Sequence, residues 1–206
     1  MRVIFMGTPD YAGRILEKII TTKGMEVVAV YTQPDKPVGR KKVLTPPVVK
    51  TIALQNNINV YQPERLRETK TIEELKKIEC DYIVVAAYGQ ILPPEILEHA
   101  PCINLHASIL PHYRGASPIQ QTLLNGDSKT GVTAMLMDEG LDTGDIIKIK
   151  EIDVGEKYIC RVGATEGSII DMKMHTECEK ESSGWDNEDW EIFERGTMER
   201  PSHIKC

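Results

Sequence analysis

The chain has 206 residues, 41% of them hydrophobic and 27% charged, enough to bury a core as one large domain or as a domain with a tail. Its net charge of −6 divides into −1 for residues 1–155 and −5 for residues 156–206. No general basic excess therefore marks a nucleic-acid binder, and any RNA contact needs a local patch. Five cysteines without Cys-x-x-Cys spacing argue against a disulfide framework or a structural metal site, so no metal is expected. Met1 leads straight into an apolar strand without the features of a signal peptide, and no apolar run approaches membrane-spanning length. A cytoplasmic monomer with no membrane attachment is the expectation.

Arg2 to Met6 reads as a short buried strand, ended by Gly7-Thr8-Pro9-Asp10. A helix follows with Tyr11, Ile15, Leu16 and Ile19 on one face. Strand, glycine turn and helix make a nucleotide-binding opening, but Gly-x-Gly-x-x-Gly is missing, which disfavours a dinucleotide. Val27 to Tyr31 is the second parallel strand, reached by a right-handed crossover. Gln33-Pro34-Asp35-Lys36-Pro37-Val38-Gly39-Arg40-Lys41-Lys42 has neither helical nor strand period and reads as an exposed basic loop; composition by itself favours a solvated turn. A helix starting at Pro46 or Pro47 should bury Val48, Val49, Ile52 and Ala53, before a short strand at Val60-Tyr61. Ile72, Leu75, Lys76 and Ile78 suggest another amphipathic helix.

Tyr82 to Ala87 is a fully buried strand ending in the turn Tyr88-Gly89-Gln90-Ile91-Leu92-Pro93. The next apolar run ends in Asn104-Leu105-His106; strand alternation puts an amide donor and an imidazole side by side, near a strand's carboxyl end. A lone strand histidine is commonly a hydrogen-bonded core residue. Pro118 to Leu124 is a helix stopping at Asn125-Gly126. The strand Val132 to Met137 then runs into Asp138-Glu139-Gly140-Leu141-Asp142-Thr143-Gly144-Asp145. Glycines between acids make a tight loop that can bring Asp142 to a neighbouring strand end. Such loops are often solvated turns; the calcium alternative lacks the EF-hand spacing and its closing Glu. Gly144 to Lys150 alternates like an edge strand.

Asn-x-His, Ser-x-Leu-Pro, Tyr-Arg-Gly-x-x-Pro-Ile and Asp-x-Gly-x-Asp-x-Gly, in this order over residues 1–155, resemble the folate-dependent formyltransferase family. The resemblance implies an α/β fold with an open, mostly parallel, Rossmann-like sheet and helices on both faces. Within the family the chain is most similar to members that formylate methionyl-initiator-tRNA. For these the resemblance implies 10-formyltetrahydrofolate as co-substrate, contacted by Gln90, Ile91 and Leu92, by Ser108, Ile109, Leu110 and Pro111, and by Asp138, Glu139 and Gly140. It makes Arg40, Lys41 and Lys42 the tRNA contacts, and arginine suits an RNA terminus because it pairs bidentately with phosphate and stacks on exposed bases.

The catalytic residues implied are Asn104, His106 and Asp142. Asn104 would donate to the oxyanion of a tetrahedral intermediate, and His106 would donate to it or pass a proton to the leaving nitrogen. Asp142 would orient His106 and receive the amine's proton through water. Ser108 is a turn and folate-contact residue and not a nucleophile, since Gly-x-Ser-x-Gly is absent.

Residues 156–206 break the pattern with a charged, Ser- and Glu-rich segment without sustained apolar period, where the family continues into a helix and then a β-barrel domain. A shifted or truncated reading frame is the expected origin, over a lineage-specific extension, and a poorly ordered or weakly docked tail the expected behaviour. Two rival readings stand beside the main one: a sugar-nucleotide N-formyltransferase, and an inactive folate-binding remnant.

Overall fold

A computed structural model of the chain describes residues 1–154 together with the backbone of residues 159–161 and 171–173. In chain order the elements are β1 (Arg2–Gly7), α1 (Asp10–Thr21), β2 (Glu26–Tyr31), β3 (Lys36–Val38), β4 (Val43–Thr45), α2 (Val48–Gln55), β5 (Val60–Tyr61) and α3 (Thr69–Lys76). They continue with β6 (Tyr82–Ala86), α4 (Pro94–Leu97), β7 (Cys102–His106), α5 (Pro118–Leu124), β8 (Lys129–Leu136), β9 (Ile146–Asp153), β10 (Ile159–Arg161) and β11 (Asp171–Lys173).

Seven strands form one open sheet in the order β5-β2-β1-β6-β7-β8-β9. From β5 to β7 all neighbours are parallel, and β8 runs antiparallel to β7. The mostly parallel, Rossmann-like architecture expected from the sequence is the one observed. β1 lies between β2 and β6 and is covered on both faces, which is why Val3 to Met6 form a continuous apolar run. Val3 and Phe5 face one layer with Leu16 of α1 and Val49 and Ile52 of α2. Ile4 and Met6 face the other, with Leu75 of α3 and Ile96 of α4. Each such side chain withdrawn from water contributes roughly 1.5–3 kcal/mol, so this two-sided core is the main support of the sheet.

The described residues form two compact units: residues 1–106 with 132–150, and residues 107–131 with the described residues from 151 onward. Within the second unit, α5 starts at Pro118, whose fixed φ and missing N–H suit a first helical turn. Tyr113 donates its hydroxyl hydrogen bond to Asp127 Oδ2 at 2.5 Å and accepts one from Asn125 Nδ2 at 3.1 Å. The antiparallel pair β10–β11 was not predicted from the sequence. The remaining expectations for residues 156–206 lie outside the described residues.

Three local expectations are corrected. The basic segment after β2 is not without strand structure: β3 and β4 pair antiparallel as a hairpin, Val38 opposite Val43. Every residue of both strands is exposed, so the hairpin has no buried face and leaves no alternation to detect. Its turn is closed by a hydrogen bond from Lys42 N to Gly39 O at 3.0 Å, with both residues at positive φ. In α2 the buried residues are Val49, Ile52 and Ala53, while Val48 at the first position is exposed. α3 ends at Lys76 and buries Leu75 fully, leaving Ile78 beyond the helix.

Candidate active site

β7 enters the sheet as an apolar strand and ends on Asn104-Leu105-His106. Pairing with β8 sets Asn104 opposite Met135 and His106 opposite Thr133, and opposed residues of an antiparallel pair share a face. Thr133 is fully buried beside His106, a neighbour that sequence reasoning missed because the antiparallel register is set by tertiary pairing. The intervening residue is also fixed: Tyr11 of α1 donates its hydroxyl hydrogen bond to Leu105 O at 3.1 Å. Burial pushes the Tyr11 hydroxyl up to about 12, so it remains a donor across the neutral range. The helical spacing of Tyr11 showed only that it faces inward.

After β8 the chain turns through residues 137–145 and returns as β9. Leu136 N donates to Asp145 O at 2.8 Å and closes the neck of this loop, and Met137 N donates to Cys102 O at 2.8 Å. Asp138 Oδ1 accepts from Gly140 N at 2.9 Å and from Thr143 Oγ1 at 2.8 Å, which folds the loop on itself. At its apex Asp142 takes a left-handed conformation, φ 51°, a region that aspartate tolerates better than most residues.

This conformation aims the Asp142 carboxylate at β7. Asn104 Nδ2 donates to Asp142 Oδ1 at 3.0 Å, and His106 Nδ1 stands 3.5 Å from Asp142 Oδ2. The His106 and Asp142 side chains are 7% and 10% exposed, so their interaction is only weakly screened by solvent. The fold thus gathers the three residues singled out as catalytic: an amide donor, an imidazole and a carboxylate. An asparagine amide has two N–H groups, and the bond to Asp142 uses one of them.

The other sequence-selected residues fall into separate segments. The half-buried Gln90 side chain is tied down, its Oε1 accepting from Leu66 N at 2.7 Å and its Nε2 donating to Pro63 O at 3.1 Å. Leu92 is buried in the core, whereas Ile91 is 85% exposed. Asp138, Glu139 and Gly140 lie exposed in the loop that carries Asp142, with the Asp138 carboxylate turned into the loop. Arg40, Lys41 and Lys42 occupy the exposed turn of the hairpin, without a carboxylate partner among the described residues. In the second unit, Ser108 is buried and donates to His112 O at 2.6 Å, Leu110 is buried, Ile109 is half-buried and Pro111 exposed. Among the described residues no group of His, Cys, Asp and Glu side chains is gathered as a metal would require, and no helix is long and apolar enough to cross a membrane.

A family model described as formyl transferase matches residues 1–160. The methionyl-tRNA formyltransferase of Sulfurimonas denitrificans is 77% identical over 154 residues, covering 75% of this chain and 51% of that protein. The methionyl-tRNA formyltransferase of Nitratiruptor is 62% identical over 156 residues, covering 75% and 51%. The chain therefore spans about half the length of these curated relatives. Among solved structures, the phosphoribosylglycinamide formyltransferase of Bacillus halodurans superposes with a TM-score of 0.60 at 24% identity, over 76% of this chain and 82% of that one, which speaks for the fold alone. With the family model covering more than three quarters of its length, the chain belongs to the formyl transferase family.

Proposed function

We propose that this chain transfers the formyl group of 10-formyltetrahydrofolate to the amino group of methionyl-initiator-tRNA. The observation that carries this reading is the meeting of Asn104, His106 and Asp142 at the end of β7. The high identity to two methionyl-tRNA formyltransferases supports the choice of acceptor.

The donor, when bound, supplies an electrophilic formyl carbon and a nitrogen leaving group. Asn104 directs its second amide N–H to the formyl oxygen as negative charge develops there; such a donor is worth on the order of 10²- to 10³-fold in rate. His106 donates to the same oxygen or passes a proton to the departing nitrogen, a role worth about 10²- to 10⁴-fold. Asp142 holds the imidazole in place and takes the proton of the attacking amine through water. No side chain becomes covalently bound to the formyl group.

The turn after β6 suits a flat heteroaromatic ring with fixed donors and acceptors. Gln90 is tied to Pro63 and Leu66, so this residue would serve through its backbone, while the exposed Ile91 offers apolar surface to a ring. Arg40, Lys41 and Lys42, raised on a hairpin with no core of its own, suit the phosphates of an RNA end. Lys148 and Lys150 on the edge strand β9 discourage edge-to-edge pairing, which supports a monomer.

The test is formylation of methionyl-tRNA by the purified 206-residue chain with 10-formyltetrahydrofolate, beside titration with a folate analogue. Turnover supports the reading. Binding of the analogue without turnover on any amine supports the remnant instead, and turnover on an amino-sugar nucleotide but not on methionyl-tRNA overturns the acceptor.

A further inference from the structure

The hairpin β3–β4 is an arm without a buried face, since all six strand residues are exposed. Hydrophobic packing therefore cannot fix its direction. Among the described residues, Asp35 makes the only side-chain hydrogen bonds that join residues 34–46 to the rest of the protein. Asp35 stands immediately before β3, where the arm begins. Lys50 lies in the first turn of α2, just past the arm's return.

Lys50 Nζ donates to both carboxylate oxygens of Asp35, at 2.9 and 2.7 Å, and so ties the arm's entrance to its exit. Gln62, directly after β5, donates through Nε2 to Asp35 Oδ1 at 2.7 Å and to Gln33 O at 2.8 Å. Gln33 Nε2 in turn donates to Tyr88 O at 3.2 Å, an oxygen that also accepts from Thr8 Oγ1 at 3.0 Å. The base of the arm is thus joined by side-chain hydrogen bonds to the segments that follow β5 and β6.

We propose that Asp35, Lys50 and Gln62 are positioning residues that clamp the neck of the β3–β4 arm and set the direction in which it presents Arg40, Lys41 and Lys42 to the acceptor substrate. The inference rests on the proposed function for the identity of that acceptor, but the clamp itself does not depend on it. Exposed ion pairs are usually worth little for stability. Here Asp35 and Lys50 are each 24% exposed and share a bidentate geometry, with Gln62 as a third partner. The hydrogen bonds from Gln62 and Lys50 also hold the Asp35 carboxyl below the usual carboxylate range, consistent with a charged clamp at neutral pH. Loss of the clamp should leave the sheet standing and free the arm, because the hairpin keeps its own backbone pairing.

Ordering the arm would then be charged to binding, since each segment immobilised on association costs affinity. Lys50→Met and Gln62→Leu should raise the KM for methionyl-tRNA about tenfold, leaving kcat and folate-analogue affinity within about twofold. Lys50→Arg, which keeps a bidentate cation, should restore the parent KM. Backbone ¹⁵N order parameters supply a readout independent of the reaction. They should fall across residues 36–45 in Lys50→Met, stay level in β1 and β6, and recover in Lys50→Arg. Unchanged order parameters in the arm, or an unchanged KM in a variant that formylates tRNA, would overturn the proposal. A parent chain that formylates nothing would sink the acceptor reading, while the order parameters would still support or overturn the clamp.

Discussion

Gly144 packs against Leu136 so closely that a Cβ on the glycine would overlap the Leu136 carbonyl oxygen. The same Leu136 donates its N–H to Asp145 O, so the neck of the loop is held by a hydrogen bond on one side and by the bare Cα of Gly144 on the other. The obstacle is backbone and cannot rotate away. Gly144→Ala should therefore pry the loop from β8 and move Asp142 off Asn104 and His106. Stability should fall by roughly 1–3 kcal/mol, as for other overpacked sites. Formyl transfer should fall about 10²-fold, since a displacement near 1 Å is enough for a loss of that size. Thermal unfolding beside a formylation assay checks both; a variant with full activity would show that Asp142 needs no such placement.

Asn104→Ala, His106→Ala and Asp142→Asn should each lower the chemical step by about 10²-fold or more, because each removes an interaction made chiefly in the transition state. Folate-analogue affinity should change little. Single-turnover rates together with titration separate the two quantities. An equal fall in affinity and in rate would make the cluster a binding pocket and not the site of chemistry.

Tyr11→Phe removes the hydroxyl that holds Leu105 between the two β7 site residues. The lost hydrogen bond should cost about 1 kcal/mol. Burial raises the folded-state pKa of Tyr11 from 10.0 to about 12. The protonated form is thus favoured by folding: this contribution is complete below pH 10 and is lost as pH rises through 12. The alkaline fall in stability between those limits should be shallower in Tyr11→Phe than in the parent, as urea unfolding at stepped pH would show. Identical alkaline profiles would place the tyrosine's titration elsewhere than in this buried contact.

Much of the sheet was legible because its physics is local. Val3 to Met6 and Ile83 to Ala86 are apolar without alternation, which fits strands covered on both faces, and the structure buries them in β1 and β6 while Arg2, Tyr82 and Ala87 are exposed. Asn104 and His106 were placed on one face by strand alternation alone, and Asp142 near them by the glycines of its loop. What could not be read depends on pairing between distant segments. The exposed β3–β4 hairpin is held by backbone bonds that carry no hydrophobic signature, and the antiparallel partner that sets Thr133 beside His106 follows from register. The Gln90 side chain closes the chain around Pro63 to Leu66, a bond with no sequence pattern at all, which leaves its backbone for the contact the motif implies.

The arm offers the last test, because its cations have an expected use that differs from that of every residue near β7. Arg40, Lys41 and Lys42 sit on an exposed turn, so their replacement by alanine removes charge without opening a cavity or leaving a buried group unpaired. Stability should stay within about 0.5 kcal/mol of the parent. Folate-analogue affinity should also stay level, since the arm's turn and the turn after β6 are different segments with different chemistry. The KM for methionyl-tRNA should rise, and rise most at low salt, where releasing counterions from the contacted phosphates is most favourable. Plotted against the logarithm of salt concentration, the logarithm of tRNA affinity should lose about one unit of slope for each phosphate contact removed. Affinity for a tRNA lacking the aminoacyl group, measured from 50 to 200 mM salt, supplies this slope independently of turnover. If parent and triple variant share both slope and KM, the arm is a solvated turn and the acceptor is gripped by another part of the protein.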